Sequence, residues 1–197
     1  VLYRSNAQSR AIEEALLRVS IPYRIYGGLR FYERLEIKNA IAYLRVVFNN
    51  NDNPSFERSI SNPTRGVGEK TLGKIRQAAK KYNISYIKAS AKLIDEGLIS
   101  GRGGAGLRDY LEFIAGCKGF IEENTLSELM ELIIKETGLY AYHAKEAGEK
   151  GKTRTENLEE LITATKNFEQ SIKDERTNIE IAESYLDIIS LDSGDRQ

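Results

Sequence analysis

The sequence predicts a mainly α-helical fold carrying a short strand-helix-strand α/β piece at its N-terminus. Three observations point there. Apolar residues recur at helical spacing through most of the chain beyond residue 33. Strand signals are confined to the first 26 residues and cease at Gly27-Gly28. Helix start signals, including a Thr-x-x-Glu pattern at 125–128, punctuate the remainder.

Val1–Arg4 reads as a strand, with Ser5 or Asn6 placed to cap the helix that follows. In that helix Ala11, Ile12, Ala15, Leu16 and Val19 share a face, and Pro22 ends it. Tyr23–Tyr26 reads as a second strand. From Glu33 to Phe48 a broad helical stripe runs through Ile37, Ala40, Ile41, Tyr43, Leu44 and Val47. Asp52 or Asn53 can cap a short helix from Pro54 to Ser61. A turn with Pro63, Gly66 and Gly68 leads to a basic helix over about 70–81. Further helices are expected over 85–95 and 105–117, with GLISGRGG as the connection. Thr125–Thr137 is a helix whose Leu126, Leu129, Met130, Ile133 and Ile134 face one way. Residues 144–154 read as a charged loop, followed by helices over 155–171 and 177–189. The organisation expected is a segment of 1–26 and a helical domain of 27–197.

With 197 residues, 41% hydrophobic and 29% charged, the chain can bury a core and reads as a soluble globular protein. It has no apolar run long enough for a membrane helix and no signal-peptide pattern. It starts without Met, as if inside a domain, and is expected to be a fragment of a longer protein. Cys117 is the one cysteine, so an internal disulfide is excluded, and a reducing, cytoplasmic setting is expected. His143 is the one histidine. A Cys/His metal site would need more ligands than these. His143 stands in a polar stretch without a nucleophile motif and is expected to be an exposed helix-end residue. No catalytic residue and no metal ligand are assigned.

The net charge is zero, but its distribution is uneven. Residues 62–82 carry a balance of +5 and residues 174–197 a balance of −5. The basic stretch, PSFERSISNPTRGVGEKTLGKIRQ with its flanks, has the layout of a helix-hairpin-helix. Glycines at 66 and 68 permit positive φ and let a phosphate approach the backbone. The amides of Val67, Gly68 and Glu69 would point outward at a helix N-terminus, which favours an anion. Lys70 and Lys74 lie one turn apart and can add charge-assisted contacts. Such a surface would hold duplex backbone without reading sequence. An αα-turn with a solvated basic face fits the same pattern.

Two other stretches fail as nucleotide sites. GEKGKT at 148–153 lacks the glycine spacing of a phosphate loop and has no preceding strand. GRGGAG at 101–106 has no βαβ unit around it and reads as a hinge or helix-start turn. In YRSNAQSR, Arg4, Asn6, Gln8 and Arg10 are either helix caps or ligand groups at a strand exit.

VLYRSNAQSRAIEEAL, IPYRIYGGLRFYERLEIKNAIAYLR, NPTRGVGEKTL and GEKGKTRTENLEELITATKNF together resemble the UvrD/PcrA/Rep helicases of superfamily one, nearest the bacterial UvrD branch. The resemblance holds order along nearly the whole chain and weakens over 85–125 and 172–197. It implies a piece of an ATP- and Mg-dependent 3′-to-5′ DNA helicase, an ATP hydrolase of DNA repair. Val1–Tyr26 would match part of motor domain 2A, and Gly27 onward the helical 2B domain. The family's nucleotide-binding motifs are absent from these residues, so no cofactor is expected in this piece and no ATP turnover. NPTRGVGEK matches the family's GIG hairpin, with Val67 in place of Ile. Thr64, Arg65, Gly66, Val67, Gly68, Lys70, Thr71 and Lys74 would then contact duplex backbone. By the same resemblance Arg4 and Asn6 would lie near single strand, Arg30 and Arg34 on the duplex side, and Gly27 and Gly28 at a hinge on which 2B swivels. Partners implied are duplex and forked DNA, the 1A, 1B and 2A domains, and repair proteins; no membrane is implied. Two rivals stand beside this: a helical protein-interaction domain without DNA contact, and an independent ATPase or nuclease.

Overall fold

Helix α2 (Leu35–Phe48) organises the molecule, because ten of its fourteen residues are buried. A helix covered nearly all round belongs in an interior. The computed structural model describes residues 6–19, 21, 31–173 and 175–192. Among them it holds ten α-helices, one 3-10 turn (Phe31–Glu33) and no strand. The expected strands at Val1–Arg4 and Tyr23–Tyr26 and the Gly27-Gly28 break lie outside the described residues. Their intervening helix is present as α1 (Asn6–Arg18).

Around α2 pack α3 (Asn53–Ser61), α6 (Gly101–Glu123), α7 (Leu126–Glu136) and α9 (Glu149–Ser171). All six apolar residues of the α2 stripe read from periodicity are in the core. Asp52 caps α3 by accepting from the Ser55 amide at 2.9 Å, with Pro54 in the first turn. α4 (Glu69–Tyr82) pairs with α5 (Tyr86–Asp95), burying Leu72, Ile75, Ala78 and Ala79 on one and Ala89 and Leu93 on the other. α7 carries the expected capping box. The Thr125 amide donates to Glu128 Oε2 at 2.8 Å and the Glu128 amide donates back to Thr125 Oγ1 at 3.3 Å. Its five predicted core residues are buried. α8 (Leu139–Ala144) and α10 (Asn178–Asp192) complete the described chain.

Three expectations are corrected. α6 begins at Gly101 rather than near residue 105, so of the two readings of GRGGAG, hinge or helix-start turn, the second holds. Residues 144–154 are mostly not a loop: α9 starts at Glu149. A Cβ on Gly151 would come 2.3 Å from the Glu146 carbonyl oxygen and 2.8 Å from that of His143, so the α8–α9 connection lies directly on the α9 backbone. His143, expected to be exposed, is 0% exposed. Its Nδ1 lies 2.6 Å from Glu146 Oε1, and Tyr142 meets its ring edge-on at 5.1 Å. From α9, Arg154 Nη1 donates to the same Glu146 oxygen at 2.5 Å and its Nε lies 3.6 Å from buried Glu36. Asn157 Nδ2 donates to Glu36 at 2.6 Å and Arg34 Nη1 donates to Asn157 at 2.9 Å. This chain of polar groups satisfies a carboxylate that burial would otherwise penalise.

Candidate nucleic-acid interface

The turn over residues 62–68 is held from below. Tyr43, fully buried on α2, donates its hydroxyl hydrogen to the Asn62 carbonyl at 3.0 Å. Arg65 turns inward: Nη2 donates to Tyr43 Oη at 2.9 Å and to the Thr137 carbonyl at 3.1 Å. Its guanidinium also lies 5.8 Å from the centre of the Tyr43 ring. Burial raises the Tyr43 phenol pKa, and the adjacent Arg65 charge works against that rise. Val67 is 8% exposed and plugs the turn into the core.

Above these anchors the backbone is open. Gly66 has φ +76°, the left-handed region that glycine tolerates best. Gly68 is the N-cap of α4 at φ −94° and ψ 179°, an extended conformation open to any residue, which corrects the expectation of a positive φ there. Among the described residues no side chain caps α4. The first amides of a helix have no partner within it, and here they meet the surface beside exposed Gly68, Glu69 and Lys70. Thr64 and Lys74 are exposed and Thr71 is half-buried. Lys74 Nζ donates to the Leu98 carbonyl at 2.8 Å, tying α4 to the loop before α6.

Not every cation of the stretch is available. Arg76 grips Glu57 through two bonds of 2.6 and 2.7 Å and also pairs with Glu69. Those carboxylates raise the Arg76 pKa, and Arg76 holds Glu57 below its ordinary range. Of the other predicted site residues, Arg34 stands before α2, donating to Asn157 on α9 and lying 5.3 Å from the centre of the Phe31 ring. Arg4, Arg30, Gly27 and Gly28 lie outside the described residues, as does the side chain of Asn6 at the start of α1.

The support from Tyr43 and Thr137 is not visible in the residue pattern, and neither is the contact of the helix expected over 105–117 with the turn. A Cβ on Gly106 would come 2.0 Å from the Arg65 carbonyl oxygen, and one on Gly103 would come 3.0 Å from that of Gly66. The start of α6 therefore lies against the hairpin backbone. The signal was the run of glycines at the head of a helix, which helices otherwise disfavour.

Among the described residues no cluster of His, Cys, Asp and Glu is arranged to hold a metal ion, and no helix is long and apolar enough to cross a membrane.

Residues 1–96 match the UvrD-like helicase C-terminal domain. Over 197 residues the chain is 43% identical to DNA helicase II of Escherichia coli, covering 100% of this chain and 27% of that protein. It is 44% identical over 198 residues to DNA helicase II of Haemophilus influenzae, again 100% of this chain and 27% of that protein. It is 37% identical over 174 residues to the ATP-dependent DNA helicase PcrA of Bacillus subtilis, covering 88% and 23% respectively. The chain thus spans about a quarter of the length of these relatives.

Proposed function

We propose that this chain, kin to the UvrD/PcrA helicases along its whole length, is the part of an ATP-driven DNA helicase that holds duplex DNA by its backbone. The observation that carries the reading is the uncapped N-terminus of α4 behind the Gly66–Gly68 turn, with Lys70 and Lys74 exposed beside it. Open amides, a helix dipole and ammonium groups together suit a phosphate. They carry no donor-acceptor pattern for base edges, so binding is independent of sequence. Gly66, Gly68, Lys70, Thr71, Lys74 and Thr64 form the contact. Val67 and Arg65 act through it, the one filling the core and the other fixing the turn to α2 and Thr137.

The longer protein of which this is a segment would couple ATP hydrolysis to unwinding in the 3′-to-5′ direction. Residues 1–26 belong to its motor (2A), and residues 27–197 form its helical 2B domain, whose grip and orientation regulate unwinding. Mg-ATP does not fit the segment most like a phosphate loop. Gly148–Thr153 enters helix α9, and the space beside Gly151 is filled by the carbonyls of Glu146 and His143. No cradle for a triphosphate exists at that segment, and in this reading nucleotide is held by other parts of the longer protein.

A duplex titration of the chain across a salt series tests the reading. With few phosphates neutralised, binding is weak, on the order of tens of micromolar or weaker, and falls linearly on a log-log plot against salt. The Lys70→Ala/Lys74→Ala double variant should lower the slope by about 2. A slope of zero in the parent chain would favour the rival, a helical protein-interaction module.

A further inference from the structure

Interior glycines are costly to a helix, yet α6 opens with glycines at 101, 103, 104 and 106. Gly103 and Gly106 have a reason at the hairpin, since the carbonyls of Gly66 and Arg65 occupy the space a Cβ would need. This close approach sets the neighbouring Arg102 over the turn: its Cγ is 3.0 Å from where a Cβ on Gly66 would stand. Arg102 is exposed, and among the described residues it has no hydrogen-bond or ion-pair partner.

The two arginines of residues 62–82 are committed elsewhere. Arg65 is held by Tyr43 and Thr137, and Arg76 by Glu57 and Glu69. Lys70 and Lys74 remain as compact point charges on flexible stems, Lys74 with one of its donors given to the Leu98 carbonyl. A guanidinium presents a planar fork that matches phosphate bidentately. The fork available at this turn is supplied by α6.

We propose that Arg102 is a second contact to duplex phosphodiester backbone, completing the α4 surface from α6. The inference rests on the hairpin's being a duplex contact. The loop before α6 is tied to α4 by the Lys74–Leu98 bond, so both halves of the surface are held in register.

The test is a salt series of anisotropy titrations with a short fluorescent duplex and the whole chain, with thermal melts as a check on folding. Arg102→Ala is expected to weaken binding about three- to tenfold and to lower the log-log slope by about 1. Arg102→Lys keeps the charge and loses the fork, so it keeps the slope and falls between in affinity. Lys118→Ala, exposed toward the far end of α6, leaves affinity and slope unchanged. If the Lys70→Ala/Lys74→Ala variant loses affinity while Arg102→Ala binds like the parent, the Arg102 contact is overturned and the hairpin reading stands. If Arg102→Ala loses affinity at an unchanged slope, the loss comes from packing on Gly66 and the contact is again overturned. If no variant changes binding, both readings fall.

Discussion

Gly66 and Gly68 look equivalent in the sequence and serve different ends. At φ +76°, Gly66 sits where a side chain strains the backbone, and a Cβ there also crowds Arg102. Gly66→Ala is expected to cost about 1 kcal/mol of stability. Gly68 is extended, with nothing within 4 Å of a Cβ. Gly68→Val should therefore fold with a change within about 0.5 kcal/mol and still lose duplex affinity, because its branches stand where a phosphate approaches. Urea melts paired with duplex titrations separate the two effects. A folded Gly68→Val that binds like the parent would remove this turn from the interface.

At the scale of elements, what was legible is what periodicity and capping determine locally. The face of α7 and the stripe of α2 were readable because burial on one side imposes a helical repeat. The start of α6 was expected about four residues too late, since glycine ordinarily breaks helices and its reason here is a tertiary contact with Arg65 and Gly66. Gly106→Ala should consequently destabilise the fold by about 2–4 kcal/mol, because backbone rather than a flexible side chain stands 2.0 Å away. A thermal melt unchanged from the parent would show that α6 does not lie on the hairpin. The α8–α9 corner was misread for a similar reason. Its charges and glycines have the composition of a loop, while burial of His143 and Glu36 depends on partners that sequence spacing does not reveal. Glu146 at this corner has its pKa lowered, first by the His143 hydrogen bond and then by Arg154, against the opposing effect of burial. A carboxylate depressed in the folded state contributes stability above its unfolded value and loses it as pH falls through the folded one. Glu146→Gln should thus be less stable than the parent at neutral pH, and the gap should close as pH falls below the ordinary value of 4.5. Urea midpoints across pH check this; a gap independent of pH would assign the effect to packing alone.

For the whole molecule the question is how α1 relates to the helical body. The division expected from the sequence falls at Gly27-Gly28, yet α1 is fastened to elements beyond that point. Arg10, 5% exposed, pairs with Glu14 at 2.7 Å and with Glu160 on α9. Glu13 accepts from the Phe31 amide at 3.1 Å, and Tyr32 donates its hydroxyl hydrogen to Glu14 at 3.3 Å. Burial disfavours the Arg10 charge, and the two carboxylates outweigh it, so its pKa is raised. If 2B turns as a body against the motor, this clasp between α1 and α9 must open, and duplex DNA would favour whichever orientation gains the hairpin contacts. Glu160→Gln removes one carboxylate and leaves Glu14 to accompany Arg10. The expected local cost is about 1–2 kcal/mol, which corresponds to about a five- to thirtyfold loss of amide protection in α1. Amides of α2 and α7, in the core and remote in sequence from the clasp, should keep their protection. Hydrogen exchange of parent and variant reads both at once. Equal protection of α1 in the two would mean that packing on α9, and not the ion pair, sets the orientation. Selective loss in α1 would identify Arg10–Glu160 as the contact that holds α1 on α9, and so as the one that the proposed swivel has to release.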